Sequence, residues 1–452
     1  MPSIRFSFCG PSSGRWARLL GCAGALLGWG QVAPARPAGF LAGGAGSATE
    51  AGVRYRLERS VSLAQVLFLP RADRQRVFAW AGSAGMRFAG RVSCFWYTPE
   101  SAAQEQAYFD STRRAVAELH ALNPDIVVQG TVFEVVYAHV GNLPVPNRLR
   151  AEFGEDTVAV PYRNFRLAEM VYPGYFSPVD SAHYRWDARP PGQAPGTPDM
   201  SRPEAQLWFY YRARRQIDAG CEALHFGQVM MMDHRDPGHH AWWALLQRVR
   251  AYARTRNRGF VLCDAHTQGE YYDPDPAHPV ASDRRQLLFD FHSHPLRPVE
   301  NDTVRNGPHG VHLAASAGAI YGQSKGGLAP GQWPCRHLPA LAEFDNCGTA
   351  PVPGRPGQWP WIWGLDEISW FATRPAAYRS QWLIYAAARV RQLDPDAYLQ
   401  MPGVRGVEAP PQPWSLYRAD LGGQGDTIRA IWASETTARA RQLLLMEEKP
   451  QP

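Results

Sequence analysis

Lysine is almost missing from this chain. Only Lys325 and Lys449 interrupt a cationic complement that is otherwise arginine, so Schiff-base chemistry would have to rest on Lys325. Cysteine is sparse, and no two cysteines stand in CxxC spacing, which argues against a structural zinc site. No dinucleotide-binding glycine fingerprint and no P-loop spacing follows a strand pattern. Gly322 to Gly327 is glycine-rich and reads as a loop rather than a phosphate cradle. Blocks of like charge are absent, which excludes the usual basic footprint for nucleic acid. Past the N-terminal thirty residues, no run is long and apolar enough for a spanning helix.

What remains is the material of a globular protein. Residues are 45% hydrophobic and 12% aromatic, enough to fill a sizeable core. Arg5, Arg15 and Arg18 precede an apolar segment from Leu19 to Gly30, and Ala33-Pro34-Ala35 suits a small-residue cleavage site. Residues 1–35 are therefore expected to be an export signal, with the mature protein secreted or periplasmic. Its removal takes three Arg and no acid from a net charge of +6, leaving +3. Residues 36–52 read as a linker, 53–90 as an N-terminal appendage and 91–452 as the main domain. Cys335 and Cys347 are spaced so that a disulfide is conceivable in an exported protein.

Strand and helix patterns alternate through the main domain. Val92 to Tyr97 and Ile126 to Phe133 flank a helix that carries Phe109, Val116 and Leu119 on one face. Ser201 and Glu204 have capping-box spacing at the head of a helix that Gly220 ends. Ala223 to Gln228, Phe260 to Cys263, Leu287 to His292, Leu341 to Asn346 and Tyr398 to Met401 follow as further strands. This predicts an α/β fold, an eight-fold (β/α)8 TIM-like barrel with long insertions, whose third strand is hidden somewhere in 138–200. An open doubly wound sheet is the rival.

Polar groups gather where the strands end. Glu134 closes one strand; His225 and Gln228 lie on the next. Asp264 and His266 follow, then Asp290, His292 and His294, then Glu343 and Asp345. Asp366 and Glu367 stand beside a tryptophan-rich loop in which Trp359, Trp361 and Trp363 alternate. Such groups on apolar strands must be paired or must face a polar cavity, because isolated burial of charge is costly. Two carboxyl groups across a cleft are what glycosidic cleavage requires. Glu343 is the candidate nucleophile or base, with Glu134 or Asp264 as the acid. His225, Gln228, His266, Asp290, His292, Asp345, Asp366, Glu367 and Trp363 are candidate substrate contacts. His239-His240 reads as a solvated helix start.

In strand order and carboxylate placement, residues 90–405 resemble the broad group of TIM-barrel glycoside hydrolases. The resemblance implies a nucleophilic Glu on strand seven, matching Glu343, a carbohydrate substrate and no cofactor. It departs at strand four, where an Asn-Glu pair is common and Phe226-Gly227-Gln228 stands instead. Asp290, His292 and His294 are similar to the Asp-x-His-x-His element of amidohydrolase-type barrels, which would imply a divalent metal. That family carries the element on its first strand. A barrel that binds glycan without cleaving it is the third reading.

Overall fold

The computed structural model describes residues 49–172, 196–256, 258–267, 269–296, 298–299, 310–311, 323–345, 366–408 and 413–447. Its centre is a run of parallel strands in which each pairs with the next. They are β1 (Ser60–Ser62), β2 (Phe88–Ser93), β3 (Val127–Thr131), β4 (Ala223–Gln228), β5 (Leu262–His266), β6 (His292–Pro295) and β7 (Ala340–Glu343). Ala397–Leu399 pairs with β7 and Met401–Pro402 pairs with β1. Gln400 alone separates these two segments, so together they form β8. Nine hydrogen-bonded segments are thus eight strands in sequence order, closed into a (β/α)8 barrel.

The strand count was off by one at its start. The stretch expected to be an appendage, 53–90, supplies β1 and the head of β2. The strand sought in 138–200 is not needed: Val127–Thr131 is the third, and the described part of that stretch gives only short helices and isolated bridges. β1 escaped notice because three residues, Ser-Val-Ser, carry no readable alternation.

Helices α1 (Glu50–Leu57), α2 (Arg71–Ser83), α3 (Ala102–Leu122), α4 (Pro203–Asp218) and α5 (His240–Arg254) precede β5. α6 (Glu367–Ala372), α7 (Ala376–Leu393) and α8 (Gln424–Glu447) follow β7. The capping box expected at α4 does not form. Ser201 turns to Asp199, and the Glu204 carboxylate is taken by Arg163 and the backbone N–H of Arg166. An ion pair outbids a weaker local cap there. Among the described residues, no helix is long and apolar enough to cross a membrane.

The barrel floor is apolar. Phe88, Val127, Ala223, Leu262, Phe291, Leu341 and Tyr398 point inward, and Val53 and Leu57 of α1 pack beneath them. Arg54 of α1 donates to Asp396, just before β8, at 2.7 Å and fixes this plug. With the floor sealed, polar groups on the upper turns of the strands have a single direction to face.

Candidate active site

Alternation along each strand decides which side chains enter the lumen. Two residues above the floor, the inward positions become Gln129, His225, Asp264, Ser293, Glu343 and Gln400, all buried. Asp264 sits among three donors. Gln129 Nε2 lies 2.6 Å from Oδ1, His225 Nδ1 lies 2.8 Å from Oδ2, and the Ser293 hydroxyl also donates to Oδ2. Asp264, a candidate acid, thus has both carboxyl oxygens engaged by side chains of neighbouring strands.

Arg91 completes the lumen by an irregularity of the backbone. The β2–β3 register slips between Ala89 and Ser93, and Arg91 takes φ 56°, a conformation that favours glycine. Its N–H donates to Gln129 Oε1 at 3.0 Å. The guanidinium reaches the Glu343 carboxylate and stands 3.4 Å from His225 Nε2. With His225 Nδ1 donating to Asp264, Nε2 is left as the acceptor. Burial, together with the Arg91 charge, holds this imidazole below its ordinary pKa against the pull of Asp264.

His266 behaves oppositely. Burial opposes its protonation, but a hydrogen bond to Glu343 and the charges of Glu343 and Asp345 raise its pKa. Its Nε2 and the Arg91 Nη2, 3.0 Å apart, converge on the same oxygen of Glu343. Burial alone would push Glu343 up. The Arg91 charge, the His266 hydrogen bond and the His266 charge outweigh it and hold the carboxyl well below the usual range.

Glu134 sits just past β3, against the end of β4. It accepts from the Gln228 N–H, and Gly227, at φ 62°, leaves room for its carboxyl oxygen. Burial pushes its pKa up to about 7, with the nearby His266 charge a smaller opposing influence. Glu134 and Glu343 both feel the charge of His266, yet burial raises the pKa of Glu134 while Arg91 and His266 lower that of Glu343.

Other candidates lie elsewhere. Asp290 accepts from the Cys263 N–H at 2.8 Å and from Arg250 of α5 at 3.1 Å, so it ties β5 and β6 to a helix outside the lumen. His292 and His294 have the parity opposite to Ser293; His292 Nδ1 lies 2.9 Å from the Ser324 hydroxyl, and the buried His294 feels the charges of His266 and Glu343. The Asp-x-His-x-His residues share one parity, but Asp290 is taken by Arg250 and the Cys263 N–H, and His292 by Ser324. Among the described residues no group of three or more His, Cys, Asp or Glu is placed to hold a metal ion.

Glu367 accepts from the N–H groups of Leu296 and Asp345, joining the ends of β6 and β7 rather than facing a substrate. Asp366 caps α6 through the Ser369 N–H, and burial raises its pKa to about 6. Asp345 and Gln228 are buried at the ends of β7 and β4. His239 is not a solvated end: it binds Asp233 at 3.1 Å and the Tyr271 carbonyl at 2.9 Å. Trp363, with Trp359 and Trp361, lies outside the described residues, as does Cys347.

Sequence reasoning missed Arg91, Gln129, Ser293 and Arg405, the last buried and donating to Ser62. A lone arginine in Phe88-Ala-Gly-Arg-Val-Ser was the available signal. Reading Gly322 to Gly327 as a mere loop also passed over its Gly-x-Ser-x-Gly spacing around Ser324, the residue bound to His292. No helix follows Ser324, as a nucleophile elbow would require, and both partners are buried.

Fold and site together define a closed parallel barrel with a sealed floor and a charged lumen at the strand C-termini. No known protein family's sequence profile matches the chain, and no curated protein matches it. Among solved structures, an alpha-amylase from Malbranchea cinnamomea aligns at 10% identity and a TM-score of 0.26, over 45% of this chain and 40% of that one. The native debranching enzyme of Nostoc punctiforme aligns at 12% identity and TM-score 0.37, over 80% and 70% of the two chains. A second structure of that enzyme gives 11%, 0.36, 84% and 78%.

Proposed function

We propose that this barrel is a glycoside hydrolase in which Glu134 is the acid and Glu343 the nucleophile or base. One observation supports the reading: two buried carboxyl groups that both feel the His266 charge are driven in opposite directions, Glu134 toward the neutral form and Glu343 toward the anion. That is the division of labour glycosidic cleavage needs. The Glu134 proton passes to the leaving oxygen as its bond to the anomeric carbon breaks. Glu343 then bonds to that carbon or takes a proton from the attacking water. His225, Arg91 and Asp345 are positioned to hold sugar hydroxyls, and the chemistry calls for no cofactor.

A glycan-binding barrel without turnover is the second reading. It is favoured by the commitment of the Glu343 charge to Arg91 and His266. Residues 1–35 serve as the export signal in either case, which N-terminal sequencing of the expressed protein tests. For the hydrolase, the full chain is assayed on p-nitrophenyl monoglycosides and on starch, xylan and β-glucan, beside Glu134→Gln and Glu343→Gln. The expected result is turnover of at least one substrate, lost in both variants. Turnover indifferent to either substitution removes the assignment.

A further inference from the structure

The loop after β2 carries three consecutive aromatics, and two of them are spent on packing. Phe95 stacks on Tyr108 of α3 with ring centroids 4.3 Å apart. Trp96 lies 4.6 Å from Phe133, which in turn stands 6.2 Å from the His225 ring in the lumen. Tyr97 is different. It leaves 50% of its surface exposed while its ring leans on Tyr137 at 5.2 Å.

The loops beneath it are fixed. The Tyr137 N–H donates to the Thr98 hydroxyl at 3.1 Å, and Asn142 donates to the Glu100 carbonyl at 2.9 Å, so the connections after β2 and β3 are stitched together. Tyr97 also feels the charge of Glu408, beyond β8. It is thus placed between the loop after β3 and the loop after β8, on the rim above β1 and β2. An aromatic ring half exposed on so firmly held a rim presents an apolar face at low entropic cost.

We propose that Tyr97 is a stacking platform for a second sugar ring, so that the substrate is an oligomer rather than a single glycoside. The inference rests on the carbohydrate reading above and extends it to substrate length. The ring, not the hydroxyl, supplies the binding: the C–H face of a pyranose lies on the aromatic face.

The test compares the full chain with Tyr97→Phe and Tyr97→Ala, each checked for unchanged thermal unfolding. Substrates are p-nitrophenyl monoglycosides and tetrasaccharides from starch, xylan and β-glucan. Tyr97→Ala is expected to raise KM for the cleaved tetrasaccharide about tenfold, the scale of one aromatic contact. Tyr97→Phe stays near wild type, and the monoglycoside KM does not change. An equal effect of Tyr97→Ala on both lengths, or a Phe variant as weak as Ala, overturns the proposal. If the wild type cleaves nothing, hydrolysis itself has failed, and calorimetry with the same tetrasaccharides decides the platform. Tenfold weaker binding by Tyr97→Ala then supports it; equal binding, or none by the wild type, overturns it.

Discussion

Glu134 lies directly over the Cα of Gly227: its carboxyl oxygen occupies the space that any side chain at residue 227 would need. The glycine also adopts φ 62°. Replacing it with alanine adds backbone strain and evicts the carboxyl together. Gly227→Ala should lose about 1–3 kcal/mol of stability in denaturant unfolding. Displacing the acid by an ångström should lower kcat by about 100-fold.

The raised pKa of Glu134 sets a pH dependence with a definite sign. Between the ordinary value of 4.5 and about 7 the folded protein holds a proton that the unfolded chain has released, so stability falls as pH rises through this window. The loss is up to about 3 kcal/mol. Glu134→Gln should flatten the stability profile from pH 4.5 to 7. In the wild type, turnover should decline above pH 7 as the acid ionises.

Removing Arg91 leaves the Glu343 anion buried with only His266 against it. Arg91→Met should cost about 3–5 kcal/mol, as for other broken buried ion pairs. Glu343 is held below its ordinary pKa, so its contribution is present above pH 4.5 and is lost as pH falls. The variant should therefore lose most of its deficit as pH falls from 4.5 toward 2, where the unfolded chain already carries the proton. If the deficit stays constant down to pH 2, the ion pair is not its origin.

Asp290 looked like a site residue and is held by a helix and a backbone N–H. Asp290→Asn should lower stability by about 1–3 kcal/mol through the weakened contacts to Arg250 and Cys263. KM and kcat should stay within about twofold of wild type, since the side chain faces away from the lumen. Dialysis against EDTA should likewise leave turnover unchanged; a loss restored by zinc or manganese would return the Asp-x-His-x-His reading to favour.

Much of the architecture could be read from period and punctuation. Ala223 to Gln228 is a strand with the expected bounds, and Gly220 ends the preceding helix at φ 100°. Strands seven and eight fall close to where Leu341 and Tyr398 placed them. β1 was invisible because its three residues say nothing alone. The gathering of His225, Asp264, His266 and Glu343 was legible, since each sits at a strand end on a shared parity. Their protonation was not: that depends on Arg91, which a register slip and a left-handed residue swing into the lumen. Glu367 deceived for the same reason, because a carboxylate that bonds backbone leaves no pattern in sequence.

The seam of the barrel joins residues 340 positions apart, where Gln400 donates to Ser60 beside the pairing of Val61 with Met401. Until that late segment arrives, the growing sheet is an open ribbon with a bare edge at each side. Such edges invite pairing with other chains. Contacts so distant along the chain also slow folding. A protein assembled this way depends on whatever shields its first three-residue strand while the last is still awaited.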